Sequence, residues 1–124
     1  KRSSTRVAFG RPIAKLGKNL EVISRARIEI NAMRLAVLQA AKAMDVLGNK
    51  EARVYVSAVK AMVPEKVCLI IDQAMQMHGA TGVSHWTPLA QMYTDMRHLR
   101  FADGPDEVHH MVVGRHELRK YDLW

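Results

Sequence analysis

The stretch "LGKNLEVISRARIEINAMRLAVLQAAKAMDVLG", Leu16 to Gly48, decides the fold. Leu16, Ile23, Ile30, Val37 and Met44 recur at seven-residue spacing, and Ala26, Met33, Ala40 and Leu47 sit three positions behind four of them. Apolar residues alternating three and four apart lie in one stripe of an α-helix. Sustained over this length they predict an a/d seam facing a second helix. The helix should run over about 18–48 and stop at Gly48-Asn49, glycine just past the last apolar position being a usual terminator. Arg27 and Arg34 flank the seam, where their stems cover apolar surface while their heads stay in water.

Towards the C-terminus a second long pattern runs from Glu51 to His78 through Tyr55, Val59, Met62, Val67, Ile70, Ile71, Ala74 and Met77. Pro64 lies inside it and predicts a kink rather than a break, because proline removes one donor and crowds the preceding turn. "HGATG" (78–82) ends this helix, with Gly79 as a left-handed cap and Gly82 giving a second turn. Pro88 opens a shorter helix over about 88–99, and after "FADGP" a last one covers about 106–121. Towards the N-terminus, "KRSSTRVAFGRP" (1–12) has no helical period and predicts an extended lead-in. No segment sustains the alternation of a strand. The expected fold class is therefore all-α: an up-and-down four-helix bundle of two long antiparallel helices plus two shorter ones. The eight Met residues fall on helix patterns and suit core filling.

Composition narrows the function classes. A chain of 124 residues with 48% hydrophobic content fits one domain with a real core. It has no apolar run long enough for a transmembrane segment. The opening "KRSSTR" is followed by no apolar leader core, and the absent initiator Met fits a fragment, a processed product or a trimmed chain. Cys68, alone in the apolar run "VCLII", reads as a buried core residue. With no second cysteine to pair with, it also suggests an intracellular, reducing compartment or simply a disulfide-free fold. The net charge of +7 is spread among acidic neighbours, with no nucleic-acid motif, so a solvated basic surface or one complementary to an anionic cofactor or an acidic sister domain is expected.

The densest chemistry lies in "RFADGPDEVHH" (100–110). Asp103, Asp106, His109 and His110 offer metal-ligand types, but their spacing matches no strong zinc signature, and no metal is expected. A carboxylate capping the last helix, Asp103 or Asp106, is the plainer reading. The third reading makes Asp103 a catalytic carboxylate, since "ADG" directly follows "MRHLRF", little more than twenty residues after "QMHGATG".

Three ordered motifs carry a resemblance. "RVAFGRPIA" (6–14), "AMQMHGATGVSHWTPLAQMYTDMR" (74–97) and "LRFADGPDEVH" (99–109) resemble the C-terminal helical domain of the acyl-CoA dehydrogenases over nearly the whole chain. The Asp-Gly-Pro-Asp-Glu-Val-His form and Pro64 are most similar to the subgroup containing members ten and eleven. The resemblance implies a domain, residues 1–124, that works behind an N-terminal helical domain and a middle β-domain. It also implies a homodimer or tetramer with FAD at the subunit interface. Arg6 and Phe9 would reach the ADP part of a neighbouring subunit's FAD, and Gln76, Gly79 and Ala80 would touch the same cofactor. Asp103 would remove the α-proton of an acyl-CoA thioester while the β-hydrogen leaves as hydride to flavin N5. An electron-transfer flavoprotein-like acceptor would then reoxidise the flavin. The compartment would be cytoplasmic in a bacterium, or mitochondrial or peroxisomal in a eukaryote.

Some positions depart from the family pattern. Asp103 is one methylene shorter than the usual Glu, Pro105 replaces the Thr that follows Glu-Gly, and Ala80 replaces the second glycine of a pair. Ala102 stands where many members carry a bulky aromatic, and the resemblance implies that this would widen the site for a longer, branched or oxygenated acyl chain. Two alternatives stand beside the dehydrogenase: a non-catalytic helical-bundle association domain, and a flavin-dependent oxidase of the same superfamily. The fragment alone is expected to be inactive.

Overall fold

In a computed structural model describing residues 1–124, the elements follow in a simple order. A helical turn α1 (Arg2–Thr5) leads to a hairpin of β1 (Val7–Ala8) and β2 (Arg11–Pro12). The long α2 (Asn19–His78), then α3 (Leu89–His98) and α4 (Asp106–Leu118), complete the chain, with a 3-10 turn at Arg119–Tyr121. The expected all-α architecture of two long and two shorter helices is borne out, because α2 is two helices. Gly48, with φ 77° and ψ 167°, is the non-helical residue inside it. Such a φ suits glycine and burdens any residue with a Cβ. The chain folds back there into a first arm (19–47) and a second (49–78). The arms run antiparallel: Lys66 Nζ lies 2.8 Å from Glu29 Oε2, and Val22 lines the same groove as Gln73. The second arm continues through Pro64, which is buried, without leaving helical dihedrals.

The seam between the arms differs from the sequence expectation by about one residue of helix rotation. Met33 and Ala40 are buried as expected, but the row beside them is Ala36 and Ala43, not Val37 and Met44. Ile23, Ile30, Val37 and Met44 stay 40–43% exposed, and Leu47 is exposed too. Small side chains allow two helices to approach closely, and the buried positions nearest the fold-back are small on both arms: Ala40 and Ala43 on the first, Ala52, Ser57 and Ala61 on the second. The bulkier row is left on the outside of the hairpin.

The lead-in is not simply extended. Val7 pairs with Pro12 and Ala8 with Arg11 in an antiparallel hairpin. Its tip, Phe9 (φ 51°) and Gly10 (φ 79°), has two successive positive φ values, the combination of a tight type I′ turn. Asn19 Nδ2 donates to Ile13 O at 2.6 Å and ties the lead-in to the start of α2.

From residue 82 onward the chain retraces the second arm. Gly82 lies against Met75, the Arg100 guanidinium reaches the Glu65 carboxylate at 3.9 Å, and Lys60 donates to Gly104 O at 3.0 Å. His109 then meets Ser57 at 3.2 Å. Thus α3 and α4 form successive halves of a rod antiparallel to the second arm, interrupted by the segment carrying Asp103. No helix is long and apolar enough to cross a membrane.

Candidate functional site

Asp103 occupies the interruption, and its backbone explains why. Its φ is 55° and that of Gly104 is 101°, so two residues in succession leave the right-handed region and end the helical path. Asp is among the few non-glycine residues that tolerate a left-handed conformation. Pro105 follows with φ −68° and ψ 161° and leads directly into α4. The Asp103 side chain is exposed and makes no hydrogen bond or ion pair within the chain.

The capping expectation is corrected here. Pro105 occupies the N-cap position of α4, with no side-chain cap hydrogen bond. Asp106 lies inside the helix instead, 8% exposed, and accepts from Arg100 Nε at 2.6 Å. Its other oxygen, Oδ1, is buried without a partner. The hydrogen bond Arg100 donates to Asp106, whose negative charge lies close by, raises the guanidinium pKa above its ordinary value. Glu107 is exposed on the first turn of α4, where a carboxylate sits well against the helix dipole. Asp103, Asp106, His109 and His110 do not converge on one point as ligands would.

In the sequence His109 stands out only as a possible metal-ligand type, yet it is half-buried and ties two elements together. Its Nε2 donates to Asp103 O at 3.1 Å, and its Nδ1 lies 3.2 Å from Ser57 Oγ. Lys60 holds the next carbonyl, Gly104 O. Ser57 and Lys60 carry no local signal, because their partners lie 52 and 44 residues away in sequence.

Gln76, Gly79 and Ala80 are exposed at the far end of the second arm. Gly79 has a positive φ of 63°, but ψ −149° takes it outside the left-handed helical region expected of the cap. Residues Gly79–Val83 then form a 3-10 turn. The turn is pinned: His78 Nδ1 donates to Ala74 O at 2.7 Å, and Ser84 Oγ to Thr81 O at 2.7 Å. A Cβ on Gly82 would come within 2.5 Å of Met75 O, so only glycine lets the turn lie this close to the arm.

Arg6 lies between α1 and the hairpin, in extended backbone (φ −74°, ψ 118°). Its N–H donates to Arg2 O and its carbonyl accepts from Ile13 N–H. Its side chain is exposed and unpaired. Phe9, at the hairpin tip, is 95% exposed. The lead-in and the Gln76 turn share one end of the antiparallel arms. Asp103 sits near the middle, level with Lys60, which is sixteen residues of helix from Gln76, or about 24 Å at 1.5 Å per residue. The site residues therefore form two separate patches on one chain.

The family model described as acyl-CoA dehydrogenase, C-terminal domain, matches residues 1–118. Acyl-CoA dehydrogenase family member 10 of Mus musculus is 48% identical over 118 residues, covering 95% of this chain and 11% of that protein. A solved Mycobacterium abscessus structure assigned to the acyl-CoA dehydrogenases superposes with a TM-score of 0.94 at 48% identity, over 97% of this chain and 30% of the other. Butyryl-CoA dehydrogenase from Megasphaera elsdenii superposes with a TM-score of 0.86 at 26% identity, over 94% of this chain and 30% of that one. The chain thus spans about a tenth of the mouse relative and under a third of the solved chains. With the family model matched over nearly its whole length, the chain belongs to the acyl-CoA dehydrogenase family, as that family's C-terminal domain.

Proposed function

We propose that this domain serves a larger FAD-dependent acyl-CoA dehydrogenase, together with an N-terminal helical and a middle β-domain, and that Asp103 takes the α-proton from an acyl-CoA thioester. The observation that carries the reading is the left-handed Asp103–Gly104 turn, which interrupts a rod of helix and leaves a carboxylate exposed without a protein partner. A base acting on a carbon acid needs a lone pair free of competing donors and within hydrogen-bond reach of its proton. A turn projecting from between two helices also compensates for the roughly 1.5 Å of reach that Asp lacks relative to Glu.

The other patch suits FAD. Arg6 presents an unpaired planar fork of donors, which matches a diphosphate. Phe9 offers a flat apolar face, Gln76 an amide, and Gly79-Ala80 a turn with little side-chain bulk, open to close approach by a ligand. Bound flavin would supply the hydride acceptor. The separation of about 24 Å from Asp103 supports a homodimer or tetramer. In it Arg6, Phe9, Gln76, Gly79 and Ala80 hold a neighbouring subunit's FAD, while Asp103 works in its own subunit's site. The exposed row Ile23, Ile30, Val37 and Met44 supports further burial in that assembly. An electron-transfer flavoprotein-like protein is the expected acceptor. The isolated chain, with Asp103 open to water, is expected to be inactive.

Asp103→Asn in the full-length protein tests the reading. The variant should stay folded and yellow while losing dye reduction with acyl-CoA by a factor of about a thousand or more. Wild-type activity in Asp103→Asn would remove the base assignment, and oxygen uptake matched to turnover would make the protein an oxidase instead.

A further inference from the structure

We infer that His109 is a positioning residue for the Asp103 carboxylate, holding the left-handed turn from below while Ser57 orients its ring. This rests on Asp103 being the base.

The need for such a device follows from the backbone. A left-handed conformation is disfavoured for an L-residue, less so for Asp than for most, so an unsupported Asp103 would relax towards right-handed or extended dihedrals and swing its carboxylate away. Two consecutive carbonyls of the turn are held by groups from elsewhere in the fold. His109 Nε2 donates to Asp103 O at 3.1 Å, and Lys60 Nζ donates to Gly104 O at 3.0 Å. Together they orient the peptide planes on both sides of Gly104. Pro105, with its ring-fixed φ of −68°, stiffens the next residue.

The His109 ring is itself constrained. A carbonyl can only accept, so Nε2 carries the proton; in the neutral ring Nδ1 then accepts from the Ser57 hydroxyl. Ser57 is 4% exposed on the inner face of the second arm. The imidazole also packs on Gly104, where a Cβ would lie 3.2 Å from Nε2. The path from the buried arm to the turn is therefore Ser57, His109, then the Asp103 carbonyl. No part of it touches the carboxylate, which stays free for its proton. In such a role His109 governs where the base points, not how basic it is. A base displaced by about 1 Å can lose about a hundredfold in rate.

The test uses the full-length flavoprotein, with turnover measured on a straight-chain series from butyryl- to behenoyl-CoA. Backbone amide exchange is measured over residues 101–106. His109→Ala should lower kcat by about tenfold to a hundredfold with little change in KM and normal flavin content, and should speed exchange in the turn. His109→Gln, whose amide can still donate to the Asp103 carbonyl, should recover most of both losses. Ser57→Ala should move both in the same direction, less far. Unchanged exchange in His109→Ala overturns the proposal whatever happens to kcat. Faster exchange with undiminished kcat also overturns it, provided Asp103→Asn is inactive. If Asp103→Asn is active, or no acyl-CoA is turned over by the wild type, the base assignment has failed, and positioning of the base falls with it; exchange then still reports whether His109 holds the turn.

Discussion

Arg100 and Asp106 close the gap between α3 and α4: Arg100 Nε donates to Asp106 Oδ2 at 2.6 Å across the turn that carries Asp103. The Asp106 side chain is 11% exposed and that of Arg100 29%, so the pair is shielded enough to depend on its own geometry. Charge-assisted hydrogen bonds of this length are among the stronger ones.

Removing the carboxylate in Asp106→Ala leaves Arg100 with only Glu65, at 3.9 Å. The loop ends should loosen. We expect a fall of several degrees in Tm, measured by calorimetry, and a lower kcat in the full-length enzyme. Asp106→Asn should lose less than Asp106→Ala, because the amide oxygen can still accept from Arg100 Nε.

Gly82→Ala should destabilise the Gln76 end of the molecule. Its Cβ would meet Met75 O at 2.5 Å and Met75 Cα at 2.8 Å. Both are backbone atoms and cannot rotate aside. Overpacking of this kind costs about 1–3 kcal/mol, which denaturant titration would register. Flavin should also dissociate more readily, since the displaced turn carries Gly79 and Ala80.

Phe9 separates stability from binding. At φ 51° and 95% exposed, it contributes strain and almost no burial to the fold. Phe9→Gly should leave the chain as stable, or up to about 1 kcal/mol more stable, while raising the FAD dissociation constant about tenfold. Arg6→Ala should weaken FAD retention with a loss of salt dependence and no change in Tm. Flavin fluorescence on dilution would read both.

Cys68 should behave as an inert thiol. It is 4% exposed, and burial pushes its pKa above the ordinary value of 9.0, against the opposing pull of Arg100 and Arg97. The stability linked to this shift is present below the unfolded thiol's pKa and is lost as pH rises through the folded value. Alkylation of the native protein by iodoacetamide should run at least about a hundredfold slower than in denaturant, the factor set by a local opening of roughly 3 kcal/mol. Substitution by Ala should flatten the decline of Tm above pH 9.0.

The helices were legible because helix formation is local. Apolar spacing and the glycine at 48 mark both long arms, and Pro88 and "FADGP" mark the shorter pair. The face each helix buries was legible only in part. Periodicity favours the bulkiest row, Ile23 to Met44, whereas close packing of two arms favours the alanine row one residue away. "VAFG" carries glycine at the second turn position, a weak hairpin signal, and the pairing of Val7 with Pro12 was missed.

By itself the sequence determined the family, the helical content and the candidacy of Asp103, all of which reside in short motifs and local periodicity. Only the tertiary structure decided what Asp106 and His109 do. The partner of Asp106 depends on a left-handed break that folds Arg100 back onto it, and the partner of His109 lies 52 residues away on another helix. The same holds for the roughly 24 Å between the two patches: it comes from where α3 and α4 lie along the second arm, a long-range packing choice that no short stretch of chain encodes.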